Sequence, residues 1–138
     1  MLIDDIKKAK IQAMKDHDEN KKNAFSMVVT RYQALLTSGA GKEVGDAEIL
    51  AIIQKFAKEL EEEKQGYLSV GRSESAAACD AQKAAVEAFL PKQLSEEEIR
   101  SIFAGLEDKS MPSVMKFFKA NYAGKVDMSL VSKIARGQ

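Results

Sequence analysis

The sequence is poor in the residues that usually carry chemistry. Its 138 residues include one cysteine, one histidine, two prolines and no tryptophan, and 21 Lys plus Arg stand against 21 Asp plus Glu. The single Cys79 excludes an internal disulfide and a cysteine-based zinc site, and it fits a reducing compartment. With His17 as the only imidazole, a Ser/His/Asp or Cys/His arrangement would have to be built on a residue in a polar run. No stretch approaches the ~18 apolar residues that mark a membrane span. Met1 to Ile11 carries charges where a signal peptide has its apolar run, so a cytoplasmic protein is expected. The zero net charge excludes a polyelectrolyte tail. Taken as a total it also speaks against nucleic acid, but a total is silent on distribution.

What is present is apolar periodicity. At 45% hydrophobic and 30% charged, a chain of this size can bury roughly two thirds of the surface it exposes when unfolded. Phe25, Val28, Val29, Tyr32, Leu35 and Leu36 fall on one stripe of a helix spanning about 21 to 38, stopped by Gly39 and Gly41. Ile3, Ile6, Ala13 and Met14 mark a first helix that ends near Asp16, antiparallel to the second across a short gap. Asp46 is the expected N-cap of a third helix with the stripe Ile49, Ile52, Ile53, Phe56 and Leu60, ending at Lys64 to Gly66. Ser73 is expected to cap a fourth, with small inner residues Ala78, Ala81, Ala85 and Ala88, then bulk at Val86, Phe89 and Leu90.

Pro91 closes that helix, because the residue before a proline avoids helical backbone. Ser95, Glu96, Glu97, Glu98 spells a capping box for helix five, with Ile99, Ile102, Phe103 and Leu106 inward. Helix six starts near Ser110 with Pro112 in its first turn. Its stripe is Met111, Val114, Met115, Phe118 and Tyr122. Gly124 ends it, and Asp127 caps a last helix carrying Leu130, Val131 and Ile134. No stretch alternates as a strand does. The expected fold is all-α: an N-terminal antiparallel bundle of four helices over residues 1–90, and a three-helix unit over residues 91–138.

Candidate catalytic chemistry is sparse. Cys79 reads as a buried thiol whose neighbour Asp80 raises its pKa. Gly39, Ala40, Gly41, Lys42 lacks the spacing, the following Ser or Thr and the preceding strand of a phosphate loop, and reads as a turn. Glu59, Glu61, Glu62 and Glu63 point to different sides of a helix and read as a solvated face, not a metal site. Neither a metal nor a cofactor is expected.

The charges, once placed, are informative. Residues 1 to 90 hold 13 basic and 15 acidic side chains, and residues 91 to 138 hold 8 and 6. From Lys109 onward Lys109, Lys116, Lys119, Lys125, Lys133 and Arg136 face only Asp127, a net of +5. Clustered cations of this kind neutralise phosphates without reading sequence. Lys116, Lys119, Lys125, Lys133 and Arg136 are the candidate RNA-binding residues.

Phe89, Leu90, Pro91, then Gln93, Leu94, Ser95, Glu96, Glu97, Glu98, Ile99, resembles a segment of the GatB/YqeY family. Gly71 and Arg72 upstream, Met111, Val114 and Met115, and Gly124, Lys125, Asp127 and Val131 are similar to its further motifs. The chain departs from the pattern at Pro112 and Ser113, where the family has Gly-Lys, at Leu60, where it has Arg, and at Cys79 and Gln82, where it is usually acidic. The resemblance implies a helical fold in two units. It also implies kinship with the tail domain of the B subunit of the glutamyl/aspartyl-tRNA amidotransferase, which is associated with tRNA contact. The catalytic centres of that enzyme lie in other domains, so the resemblance implies no catalysis in a stand-alone chain. The expected function is thus a tRNA-binding accessory role, with no membrane partner. The alternative is a helical protein-interaction adaptor that receives a partner helix around Met111, Met115 and Phe117.

Overall fold

The computed structural model describes residues 1–38 and 44–137, and within them the fold is all-helical with seven helices and no strand. The expected stops at Gly39 and Gly41, and the Gly39 to Lys42 turn, lie outside the described residues. The chain divides into two compact units, Met1–Phe89 and Leu90–Gln138.

The first unit holds α1 (Leu2–Lys15), α2 (Glu19–Leu36), α3 (Asp46–Ser69) and α4 (Ser73–Glu87). Its core takes Ile3 and Ile6 from α1, Phe25, Val28 and Val29 from α2, Ile49, Ile53, Phe56 and Leu60 from α3, and Ala76, Cys79, Ala85 and Val86 from α4. Met14, Leu35 and Leu36, expected inside, are exposed. They stand on the last turns of their helices, where the stripe continues but no neighbour covers it. The face of α4 is also turned from expectation: Ala81 and Ala88 are exposed and Ala78 half-buried, while Ala76 and Cys79 are buried. A helix with alanines on every side does not mark its own inner face, so tertiary packing selects it.

The turns are built differently from the expected ones. His17 adopts φ +56°, and its N–H and that of Asp18 donate to the Met14 and Ala13 carbonyls, 3.3 and 2.9 Å. That closes α1 in a Schellman turn with a non-glycine residue in the left-handed position. Asp18 then caps α2, accepting from the Lys21 N–H at 3.0 Å. The same motif ends α3: Gly71 at φ +75° donates to Leu68, and Arg72 to Tyr67. Helix α3 therefore runs through Gly66, past the expected end, because one helical glycine costs only ~1 kcal/mol. Asp46 is the first residue of α3 and not its cap. Gly45 takes the cap position, with the Glu48 carboxylate accepting from the Gly45 N–H at 2.9 Å, while Asp46 accepts from the Leu2 N–H at 3.0 Å, at the start of α1. Ser73 likewise opens α4 from inside, and Arg72 sits at its cap without a side-chain hydrogen bond.

The second unit holds α5 (Glu96–Ala104), α6 (Met111–Asn121) and α7 (Met128–Ala135). They close over Ile99, Val114, Phe118, Val126, Val131 and Ile134. No helix among the described residues is long and apolar enough to cross a membrane.

Candidate nucleic-acid interface

Local chemistry fixes the second unit at each joint. The Glu98 N–H donates to the Ser95 hydroxyl and the Ser95 N–H to the Glu98 carboxylate, each at 3.1 Å, closing the capping box. Those hydrogen bonds, first the backbone one, hold the Glu98 carboxyl below its ordinary pKa, and Lys92 adds to them. Between α5 and α6, Asp108 accepts from the Ser113 hydroxyl at 2.7 Å and the Ser110 N–H at 2.9 Å. These bonds, led by the one from Ser113, pull its pKa from 3.8 down to about 2. Ser113 thus anchors the start of α6. Pro112 occupies the first turn of α6, where a missing N–H is harmless.

The α6–α7 turn is clamped to the segment before α5. Gly124 takes φ +75°, Leu94 donates its N–H to the Lys125 carbonyl at 2.8 Å, and the Gln93 amide donates to the Gly124 carbonyl at 2.6 Å and the Pro91 carbonyl at 2.9 Å. Asp127 caps α7 through the Ser129 N–H at 2.9 Å.

All five candidate cations are exposed. Lys116 and Lys119 lie one turn apart on α6, away from buried Val114 and Phe118. Lys133 in α7 and Arg136 at its end lie one turn apart, away from buried Val131 and Ile134. Lys125 sits on the turn joining these two packed helices. Among the described residues no carboxylate forms a salt bridge with any of the five, and the Arg136 guanidinium donates to the Ser132 hydroxyl at 2.6 Å. Lys109 is used otherwise: its ammonium donates to the Leu106 and Ala104 carbonyls, 2.6 and 3.3 Å, and lies 5.8 Å from the Phe103 ring centroid, closing the end of α5. Lys92 was missed in sequence. It is exposed, two residues before Leu94, whose N–H is bound to the Lys125 carbonyl.

The apolar side chains proposed as a partner groove are partly buried. Met115 and Phe117 pack against the core cluster, and Met111 is half-covered.

Elsewhere the candidate chemistry is occupied by structure. Cys79 is buried, and burial first, then the charge of Glu63, pushes its thiol pKa up. Asp80 has the smallest part in this, and it pairs with Lys64 at 3.1 Å. The acidic run is not merely solvated. Glu59 takes a forked hydrogen bond from the Arg31 guanidinium across α2 and α3, and Glu61 accepts from Lys83 of α4 at 3.0 Å. Glu61 is held below its ordinary pKa first by Gln65 and then by Lys83. Among the described residues no group of three His, Cys, Asp or Glu side chains is arranged to hold a metal ion.

A comparison with curated proteins gives no match. The family model for YqeY-like proteins matches residues 3–138, spanning both units, and the chain belongs to that family.

Proposed function

We propose that this YqeY-like protein is a non-catalytic accessory that binds tRNA, its second unit contacting RNA phosphates through Lys116, Lys119, Lys125, Lys133 and Arg136. The observation that carries the reading is that these five cations are exposed on α6, on α7 and its C-cap, and on the turn joining the two helices, with no carboxylate paired to them among the described residues. A lysine already paired must break its pair to reach a phosphate, whereas an unpaired one exchanges only solvent and loosely held ions. The absence of a catalytic role draws support from Cys79, which is buried with a raised pKa.

The test is a filter-binding titration with tRNA at low and high salt. Binding is expected at low salt, weakened by added salt and by Lys116→Glu with Lys119→Glu. Absent binding at low salt, or binding indifferent to the double substitution, would sink the reading.

A second reading, a helical adaptor without a nucleic-acid role, draws on the first unit. Ile11, Met14, Met27, Leu35 and Leu36 are exposed on α1 and α2. Partners retained in a pull-down after nuclease treatment would favour it.

A further inference from the structure

The RNA-binding reading leaves open which part of an RNA lies on the surface, and the aromatic side chains of the second unit bear on that. Proteins that hold unpaired nucleotides stack the bases on exposed rings, each worth roughly 1–3 kcal/mol. Here no ring of the second unit is fully exposed: Phe103, Phe117 and Tyr122 are each part-buried against the core. Phe118 is fully buried, Phe117 packs edge-on against it at 5.6 Å between centroids, and Tyr122 tilts against both at 5.7 and 6.2 Å. The fourth ring, Phe103, packs on the core and lies beneath the Lys109 ammonium.

The fully exposed side chains are of another kind. Four of the five candidate cations are lysines, compact point charges that attract phosphate but have no flat face for a base. The Arg136 guanidinium is drawn onto the Ser132 hydroxyl, and the Asn121 amide donates to the Phe117 carbonyl at 2.9 Å. Such a surface gains from dense, regularly placed phosphates and gains little from splayed bases. A duplex supplies the denser array and releases more counterion per contact than a single strand, as the values of about 0.9 for B-form DNA and about 0.7 for single strands illustrate.

We propose that the second unit takes the phosphate backbone of double-helical RNA, so that stems of a structured RNA, and not its loops or free ends, lie against α6 and α7. This rests on the RNA-binding reading above. Helix α6 has 11 residues, roughly 16 Å of axis, so a short helical stem is enough to cover it.

The experiment compares the full chain's binding to a mixed-sequence RNA duplex of about 16 base pairs, a length bound by known duplex readers, with its binding to oligouridine of equal strand length. Fluorescence anisotropy is read at low salt. The duplex is expected to bind about tenfold more tightly, the equivalent of one missing base stack, and Lys116→Gln with Lys119→Gln is expected to lower duplex affinity. Circular dichroism checks that the double variant folds. Oligouridine binding as tightly as the duplex or tighter overturns the inference and leaves the RNA-binding reading standing. Failure of both RNAs to bind at low salt overturns both.

Discussion

The two units use charge in opposite ways. In the first, cations and carboxylates meet across helices: Arg31 with Glu59 joins α2 to α3, while Lys64 with Asp80 and Lys83 with Glu61 join α3 to α4. In the second, Arg100 pairs with Glu96 one turn away on the same helix, Lys109 closes a helix end, and the cations from Lys116 onward form no salt bridge among the described residues. A chain of zero net charge therefore contains one unit with ion pairs between its helices and another in which, among the described residues, no ion pair joins one helix to another. Exposed cations that hold nothing in place are the ones available to a polyanion.

The strongest blow to this comparison would show that the units do not behave separately. Phe118→Ala empties the centre of the second core, where Phe118 is fully buried, at an expected cost of about 3–5 kcal/mol. Amide NMR should lose the dispersed signals of residues 90–137 and keep those of the first unit. Simultaneous collapse of both would contradict the division.

A smaller effect tests the pairing. Glu59→Gln should destabilise the first unit by about 1 kcal/mol, because it removes a forked, partly buried charge partner of Arg31. Lys133→Gln in the second unit should change stability by less than about 0.5 kcal/mol. Equal losses in urea melts would erase the contrast.

His17→Gly should stabilise the first unit by about 0.5–1 kcal/mol, since glycine takes the left-handed backbone at φ +56° without strain but is freer when unfolded. A destabilised variant in the same melts would mean that the side chain matters more than the backbone.

The smallest effect is in acid. Asp108 has a folded pKa of about 2, below its ordinary 3.8, so its stabilisation is complete above the unfolded value and is lost as pH falls through about 2. Asp108→Asn should make the stability of the second unit fall less steeply than wild type between pH ~4 and ~2. Identical slopes in melts followed over that range would contradict the assigned hydrogen bonds.

Much of this was legible in sequence where the signal is local. The Ser95 and Glu98 box, Pro112 in the first turn of α6 and the Asp127 cap each need only a few consecutive residues, and each is present. Features decided between distant segments were not legible. Asp46 looks like a cap to its own helix, yet it holds the start of α1. The inner face of α4 is chosen by packing among many alanines. For the site, exposure of Lys116 and Lys119 followed from their spacing against the apolar stripe of α6. The use of Lys109 on α5 depends on a turn that no periodicity encodes.

The central claim, that the second unit's unpaired cations meet phosphate, is tested most directly by the slope of log affinity for tRNA against log salt concentration. Lys116→Gln with Lys119→Gln should make that slope shallower by about 1.5, two phosphate contacts' worth of released ions. The matched pair Lys8→Gln with Lys15→Gln, exposed on α1, should leave it unchanged. A slope unaltered by the first pair, or reduced equally by the second, would contradict the account.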